Sequence, residues 1–245
     1  MGTLIGIDVS AYQGIIDWDR AKAAGCAFAF IRCHFQRGKD NFFERNWAET
    51  KRVGMARGAY GWVIPGRNQT QQADLYIDYL EGDYGELAPA CDFEEFNGKP
   101  SFGELRTFIE RVEVRTKTLP YIYTSPGYWS GLTGFNRQTW AAKYPLWTAQ
   151  WSRAATPIIK PPFTNWAFWQ YSSPGNRMAS TYGAEGHDLD LNRFNGDIID
   201  LEKLIGTEVI EPDPKPEIGN EVRIAKLEGR LDVLTDWARS IGYKG

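Results

Sequence analysis

Histidine and cysteine are scarce in this chain of 245 residues, which contains two histidines and three cysteines. Cys26, Cys33 and Cys91 are an odd set without a CxxC pair, so the sequence encodes neither a zinc knuckle nor a disulfide framework. They lie in apolar, strand-like runs and are expected to be buried thiols. Only His34 and His187 could act as imidazole bases, which disfavours a Ser–His or Cys–His nucleophile. Any chemistry is therefore expected to rest on carboxylates, with no metal and no cofactor.

An excess of one charge and a long apolar run are also missing. Lysine and arginine total 28 against 31 aspartates and glutamates, a formal net charge of −3. A nucleic-acid-binding protein would instead show clustered positive charge. No apolar run approaches the roughly 18–20 residues that cross a membrane, and the N-terminal MGTLIGIDVS does not resemble a signal peptide. We therefore expect no nucleic-acid partner, no membrane span, and synthesis in the cytoplasm.

Apolar runs that alternate with helix-like segments indicate the fold class. Strands are expected at 4–9, 26–33, 56–63, 87–93, 120–124, 145–151, 165–171 and 188–194, and helices at 17–24, 41–53, 68–81, 101–117 and 197–205. This alternation predicts an α/β protein with parallel strands. In the second half the strands crowd together between loops rich in Gly, Pro and Ser. The sequence therefore predicts a single irregular (β/α) barrel of about eight strands with fewer helices than a regular one.

Residues 1–206 are expected to form this barrel, and a different composition follows them. The stretch 207–219, TEVIEPDPKPEIG, carries three prolines among alternating charges, as a semi-rigid linker does. Within 220–245 the apolar residues recur in steps of three and four, which predicts an amphipathic helix; they are Ile224, Leu227, Leu231, Leu234, Ala238 and Ile241. Two alternatives stay open: this helix packs on the barrel, or it self-associates and makes a homo-oligomer.

The segment ACDFEEF contains the most informative carboxylates. Asp92 and Glu94 are two residues apart on a predicted strand, so both side chains leave on the same face. Two carboxylates at the end of a buried strand are costly unless they have a function. Their repulsion and desolvation would raise the pKa of one of them, leaving a protonated acid beside an ionised base. Glycosidic cleavage uses such a pair, although a helix cap or a surface pair has the same pattern.

Other carboxylates also lie on predicted strands of the barrel. Asp8 ends the first strand, and Asp188 and Asp190 lie within the last. The carboxyl ends of parallel barrel strands converge on one face, where active sites assemble. We therefore expect the acidic residues of the first, fourth and last strands to share one cleft, whereas turn capping is the ordinary alternative for each alone.

A series of motifs follows the same order along the chain as in a known family. They are GIDVSAYQGIIDWDRAKAAG, Asp40 with Asn46, GMARGAYGW, CDFEEF, PYIYTSPGYW with PLWTAQW, WAFWQYSSPG and HDLDLNRF. Together they span about residues 1–200 and resemble the family-25 glycoside hydrolases, the lysozyme-type muramidases that are frequent among phage endolysins. The resemblance implies an irregular β/α barrel that needs no cofactor.

The same resemblance implies a role for each carboxylate. Glu94 matches the general acid, and Asp92 matches the carboxylate that orients or stabilises the N-acetyl group of the substrate. Asp8 matches the first-strand carboxylate, and Asp190, rather than Asp188, matches the acidic residue of the last strand. The implied reaction is cleavage of the β-1,4 bond between N-acetylmuramic acid and N-acetylglucosamine in bacterial peptidoglycan, with either stereochemical outcome. A non-catalytic glycan-binding protein on a degenerate barrel, or a hydrolase of other acetamido glycans, are the alternatives.

Aromatic side chains make up 14% of the sequence, with ten tryptophans, and some are expected to stack on sugar rings. Tyr60, Trp62 and Tyr123 match cleft positions of the family and are the expected substrate-binding residues. Gln150 is the expected hydrogen-bonding neighbour, and Trp151 stands where the family more often has Tyr.

Three further residues lie near the ends of predicted strands, where a side chain can face either the core or the cleft. Trp147 and Trp169 are expected in the core, although a strand-end tryptophan could also face a sugar. His34 follows the basic residue of the second strand, where the family more often has a small or acidic residue, and it is expected to line the cleft. The family resemblance predicts an enzyme that degrades the bacterial cell wall. Since no signal peptide is visible in the sequence, we expect it to be made in the cytoplasm of a bacterial host.

Overall fold

Nine strands form one sheet in the computed structural model, which describes residues 4–206 apart from 37, 173–178 and 185–187. They are β1 (Ile5–Val9), β2 (Cys26–Phe35), β3 (Gly38–Lys39), β4 (Ala56–Trp62), β5 (Ala90–Asp92), β6 (Tyr121–Thr124), β7 (Leu146–Ala149), β8 (Phe168–Ser172) and β9 (Asp190–Phe194). The strand order is β1-β9-β8-β7-β6-β5-β4-β2-β3, and β1 also pairs with β2. That last pairing closes a barrel of eight strands, with β3 attached outside the ring as a hairpin on β2. The predicted irregular barrel is confirmed.

One strand runs against the others. β9 is antiparallel to both β1 and β8, whereas the remaining neighbours in the ring are parallel. The expectation of parallel strands is therefore wrong for the last strand. A parallel pair needs a crossover connection, usually a helix, and the described residues between β8 and β9 contain only the 3₁₀ turn Ala179–Tyr182.

Six α-helices cover the described part of the barrel. They are α1 (Trp18–Ala23), α2 (Phe43–Arg52), α3 (Gln69–Asp78), α4 (Phe102–Thr116), α5 (Pro126–Gly131) and α6 (Ile198–Leu204). Five of them lie within predicted segments, and α5 is a short addition with Ser125 as its N-cap and Pro126 in its first turn. Asp17 caps α1 by accepting from the Arg20 amide, as expected. In this part of the chain no helix has the length and apolarity required to cross a membrane.

Successive side chains of each strand point alternately into and out of the barrel, which divides the core into two layers. Inward side chains such as Phe28, Phe30 and Phe168 fill the barrel, and outward ones pack under the helices. Phe30 stacks on Trp147 with ring centroids 4.2 Å apart. Gly58 makes room for this stack, because a Cβ there would lie 2.4 Å from the Phe30 ring.

The three cysteines belong to the buried part of this structure. Cys33 and Cys91 are fully buried, Cys26 nearly so, and all three are free thiols, as expected. Residues 4–206 belong to one compact unit. The linker expected at 207–219, the helix expected at 220–245, and His187 lie outside the described residues.

Candidate active site

The four predicted carboxylates line one cavity of about 190 Å³ at the carboxyl ends of the parallel strands. Asp8 comes from β1, Asp92 ends β5, Glu94 follows it, and Asp190 begins the antiparallel β9. Because β9 runs in the opposite direction, its first residue reaches the same end of the barrel as the last residues of β1 and β5. Asp188 lies outside the residues that line this cavity, and its backbone carbonyl accepts from Gln13 Nε2.

A larger groove of about 900 Å³ lies at the opposite end of the barrel. Its two carboxylates have structural partners. Glu86 holds the buried Arg57, and Asp200 accepts from the Asp197 amide in the capping of α6. The 190 Å³ cavity is the candidate catalytic pocket, since it brings four carboxylates together at the carboxyl ends of the parallel strands, where barrel active sites assemble.

Asp8 is the centre of a buried hydrogen-bond network. Its Oδ2 accepts from Gln170 Nε2 at 3.0 Å and from Asn192 Nδ2 at 2.7 Å. Burial raises the pKa of Asp8 to about 6, and the hydrogen bonds from Asn192 and Gln170 act in the opposite direction by favouring the ionised form.

Further hydrogen bonds fix the orientation of the Gln170 and Asn192 side-chain amides. Trp147 Nε1 donates to Asn192 Oδ1 at 2.8 Å, while Tyr123 OH and Trp151 Nε1 each donate to Gln170 Oε1 at 3.1 Å. With both amide oxygens occupied as acceptors, the amino groups are the ends that face Asp8. The network thus presents donors to Asp8 and favours its carboxylate form.

Asp92 and Glu94 enter the pocket from the same face of the chain. The Phe93 amide donates to the Tyr123 carbonyl at 2.8 Å, which extends the ladder of β5 by one residue. Phe93 is fully buried and contacts Trp129 beneath the helices, so its two neighbours point the other way. The i, i+2 pattern therefore delivers both carboxyl groups to the cavity.

The pKa values of Asp92 and Glu94 differ from those of carboxyl groups on a protein surface. Burial raises the pKa of Asp92 well above its usual value, repulsion from Glu94 and Asp8 adds to this, and Arg32 and a hydrogen bond from the Trp62 side chain oppose it. Burial likewise raises the pKa of Glu94 to about 7, with a further contribution from the charge of Asp8. A carboxyl group that keeps its proton near neutral pH can act as a general acid.

Arg32 lines the same pocket and was missed by the sequence prediction. It follows Phe28 and Phe30 on the inward face of β2, so strand alternation was the signal that could have found it. Its Nε donates to Asp40 Oδ2 at 2.7 Å. Asp40 is buried and also accepts from the Ala11 amide, which fixes the acceptor in place.

Among the predicted substrate-binding residues, Tyr60, Trp62 and Tyr123 line the pocket. Trp151 is 63% exposed and reaches the site through its hydrogen bond to Gln170. Its exposed ring can stack on a sugar.

Gln150 is not brought into the pocket. Its Oε1 accepts from the Ile158 amide at 2.6 Å, and its carbonyl accepts from Trp169 Nε1 at 2.7 Å. Gln170 of the next strand is the amide that lines the cavity. The expectation placed the hydrogen-bonding amide one strand too early, because Gln150 follows the end of β7 and is directed toward the neighbouring loop.

The other strand-end residues fall into two groups. Trp147 both packs in the core and lines the pocket, whereas Trp169 is wholly buried. His34 does not line the cavity: the register shifts between Arg32 and His34, and the imidazole stacks on Tyr79 with centroids 6.4 Å apart. Burial lowers the pKa of His34 to about 4, so the ring is neutral at physiological pH.

Within residues 4–206, outside the three gaps, no group of three or more His, Cys, Asp or Glu side chains is arranged to hold a metal ion.

Known proteins are similar to this chain in sequence and in fold. The sequence model of glycosyl hydrolases family 25 matches residues 7–179. Lysozyme M1 of Streptomyces globisporus is 35% identical over 208 residues, covering 78% of this chain and 67% of its own. The N,O-diacetylmuramidase of Arthroderma benhamiae is 29% identical, covering 83% of this chain and 87% of its own. The crystal structure of a bacterial lysozyme from Streptomyces coelicolor matches with a TM-score of 0.70 and 31% identity, covering 84% of this chain and 98% of that one.

Proposed function

The chain belongs to glycosyl hydrolases family 25, and we propose that its four-carboxylate pocket cleaves the β-1,4 bond between N-acetylmuramic acid and N-acetylglucosamine in bacterial peptidoglycan. Its relatives include a lysozyme and an N,O-diacetylmuramidase, which supports a glycoside hydrolase of the lysozyme type that acts on cell walls. The observation that carries the proposal is the meeting of Glu94, held protonated near neutral pH, with Asp92 and Asp8 in one pocket.

Glu94 acts as the general acid. Its carboxyl proton goes to the glycosidic oxygen as the bond from that oxygen to the anomeric carbon of N-acetylmuramic acid breaks. Water supplies the hydroxyl group that the anomeric carbon gains, and its remaining proton restores Glu94. The net reaction consumes one water molecule and creates one new reducing end for each bond cleaved.

Asp92 and Asp8 act on the reacting sugar from the same pocket. Asp92 lies beside Glu94, where its carboxyl group can orient the N-acetyl group, and an ionised carboxylate of the cluster stabilises the cationic transition state. Asp8 is held toward its carboxylate form by Asn192 and Gln170, and Asp190 adds a fourth acidic group to the same wall. Tyr60, Trp62 and Tyr123 contribute the aromatic surface on which sugar rings pack.

Digestion of purified peptidoglycan tests this function. We expect soluble fragments that mass spectrometry identifies as ending in N-acetylmuramic acid at the reducing end. Binding without new reducing ends would instead favour the non-catalytic glycan-binding alternative. Cleavage of chito-oligosaccharides in preference to peptidoglycan would favour a hydrolase of other acetamido glycans.

Two finer expectations stay predictions. Synthesis in a bacterial host's cytoplasm and a role as a phage endolysin rest on sequence features and the family resemblance alone. Self-association through the helix expected at 220–245 concerns residues outside the described ones. Light scattering tests the second: a full-length chain at twice the mass of a chain ending at Gly206 would support it, and two monomers would reject it.

A further inference from the structure

Arg32 is the one cationic side chain among the described residues that line the catalytic pocket, and it shares that pocket with Asp8, Asp92, Glu94 and Asp190. A pyranose ring with hydroxyl and acetamido substituents carries no charge, so it offers the partly buried Arg32 hydrogen-bond acceptors but no opposite charge. Beyond its ion pair with Asp40, the Arg32 cation has one of two further uses in the pocket. It moderates the neighbouring carboxylates, or it receives an acidic group of the substrate.

The guanidinium of Arg32 is held rigidly. Its Nε donates to Asp40 Oδ2 at 2.7 Å, and its central carbon lies 4.4 Å from the centroid of the Phe35 ring. Asp40 is itself fixed by the Ala11 and Phe42 amides. The hydrogen bond that Arg32 makes within the described residues uses Nε, and the two terminal amino groups stay available for a ligand.

A planar pair of amino groups matches a carboxylate or carbonyl group. Muramic acid differs from glucosamine by a lactyl ether at O3, which carries a carboxyl group, free or amide-linked to the stem peptide. In a pocket with four acidic side chains the free carboxylate would be repelled unless a fixed cation faced it, and the carbonyl oxygen of the amide-linked form would accept a hydrogen bond from the same donor groups. Arg32 is the residue of the described pocket that can supply that cation.

We propose that Arg32 is a specificity-determining residue whose terminal amino groups bind the lactyl carboxyl group of a muramic acid unit. This inference rests on the proposed function, because it assigns a substituent of the same substrate to the same pocket. Asp40 and Phe35 are positioning residues that hold the guanidinium. Glycans built only from N-acetylglucosamine lack this contact and bind more weakly.

The competing use of Arg32 is purely electrostatic. Its charge lowers the pKa of Asp92, against the larger effect of burial. That influence is the same whichever glycan occupies the pocket. A test must therefore compare substrates that differ in the lactyl group, and must measure binding as well as cleavage.

Binding to a Glu94→Gln variant provides this test, since the ligand then stays intact. Titration calorimetry compares a chito-oligosaccharide with a glycan of the same length that alternates N-acetylglucosamine and N-acetylmuramic acid with free lactyl carboxylates. Hydrogen bonds to charged groups predict a preference for the muramic acid glycan of about ten- to a hundredfold. Adding Arg32→Met is expected to remove most of that preference, and adding Arg32→Lys, which keeps the charge but loses the planar pair, to remove part of it.

Arg106→Met is the matched control in the same Glu94→Gln background. Arg106 pairs with Glu110 on the exposed surface of α4, so the preference is expected to stay unchanged. Circular dichroism verifies that each variant is folded. The inference is overturned if the Glu94→Gln protein shows no preference, or if Arg32→Met weakens both glycans equally. Failure of the proposed function is a separate result, because it appears as wild-type protein that releases no reducing ends from peptidoglycan.

Discussion

Asn192 donates a 2.7 Å hydrogen bond from Nδ2 to Oδ2 of Asp8, although 184 positions separate the two residues in the sequence. The antiparallel pairing of β9 with β1 brings them together on the inner wall of the barrel. Because Trp147 occupies the amide oxygen of Asn192, the amino group is directed at the carboxylate. The relationship links the closing strand of the barrel to the charge state of its catalytic pocket.

Replacing Asn192 by alanine is predicted to raise the pKa of Asp8 further. Burial already raises it to about 6, and Asn192 is the larger of the two side-chain influences that oppose burial. If the ionised form of Asp8 is needed, the acidic limb of the kcat/KM profile moves to higher pH in the variant. Asn195→Ala is the control, since Asn195 bonds to Asn165 and the Trp166 carbonyl outside the pocket. An unshifted acidic limb in Asn192→Ala would contradict this role.

The wild-type enzyme is predicted to have a narrow, bell-shaped pH profile. Glu94 must be protonated, and since its pKa is about 7, activity falls as the pH rises above that value. Asp8 must be ionised, and since its pKa is about 6, activity also falls below that pH. The two limbs belong to coupled groups and report macroscopic values for the cluster. Initial rates of peptidoglycan cleavage from pH 4 to 9 check this, and a constant rate above pH 7 would be inconsistent with Glu94 as the acid.

Gly58→Ala is predicted to destabilise the barrel by about 1–3 kcal/mol through overpacking. The new Cβ would lie 2.4 Å from the Phe30 ring, which is stacked on Trp147 beneath the pocket. Gly127→Ala in α5 is the matched control, because nothing lies within 4 Å of its added Cβ. Urea unfolding measures both. Equal free energies of unfolding for Gly58→Ala and the wild type would contradict the prediction, because they would mean that the Phe30 ring moves to accommodate the added methyl group without loss of stability.

The sequence predicted those parts of the fold that depend on local patterns. Short apolar runs between helix-like segments located the eight barrel strands, and the D-x-E spacing placed Asp92 and Glu94 on one face, since side chains alternate along a strand. Family motifs added the roles of the carboxylates.

Features that depend on pairing across the barrel escaped prediction. The direction of β9 is defined relative to its partners β1 and β8, and the residues of a strand alone do not show whether it pairs parallel or antiparallel. Gln150 and Gln170 both lie near strand ends, and only the closed ring shows that Gln170 reaches Asp8. Arg32 was passed over because a single arginine in an apolar strand has no motif of its own.

Glu94 is predicted to donate the proton that allows the glycosidic bond to break. Glu94→Gln tests it against Glu95→Gln, a matched control in which the adjacent, exposed carboxylate paired with Lys99 loses its charge. Release of reducing ends from purified peptidoglycan is measured for both variants, with circular dichroism to confirm folding. A general acid contributes about 10²–10⁴-fold, so Glu94→Gln is predicted to lose at least about two orders of magnitude while Glu95→Gln stays near the wild-type rate. A folded Glu94→Gln variant that cleaves peptidoglycan at close to the wild-type rate would contradict the account.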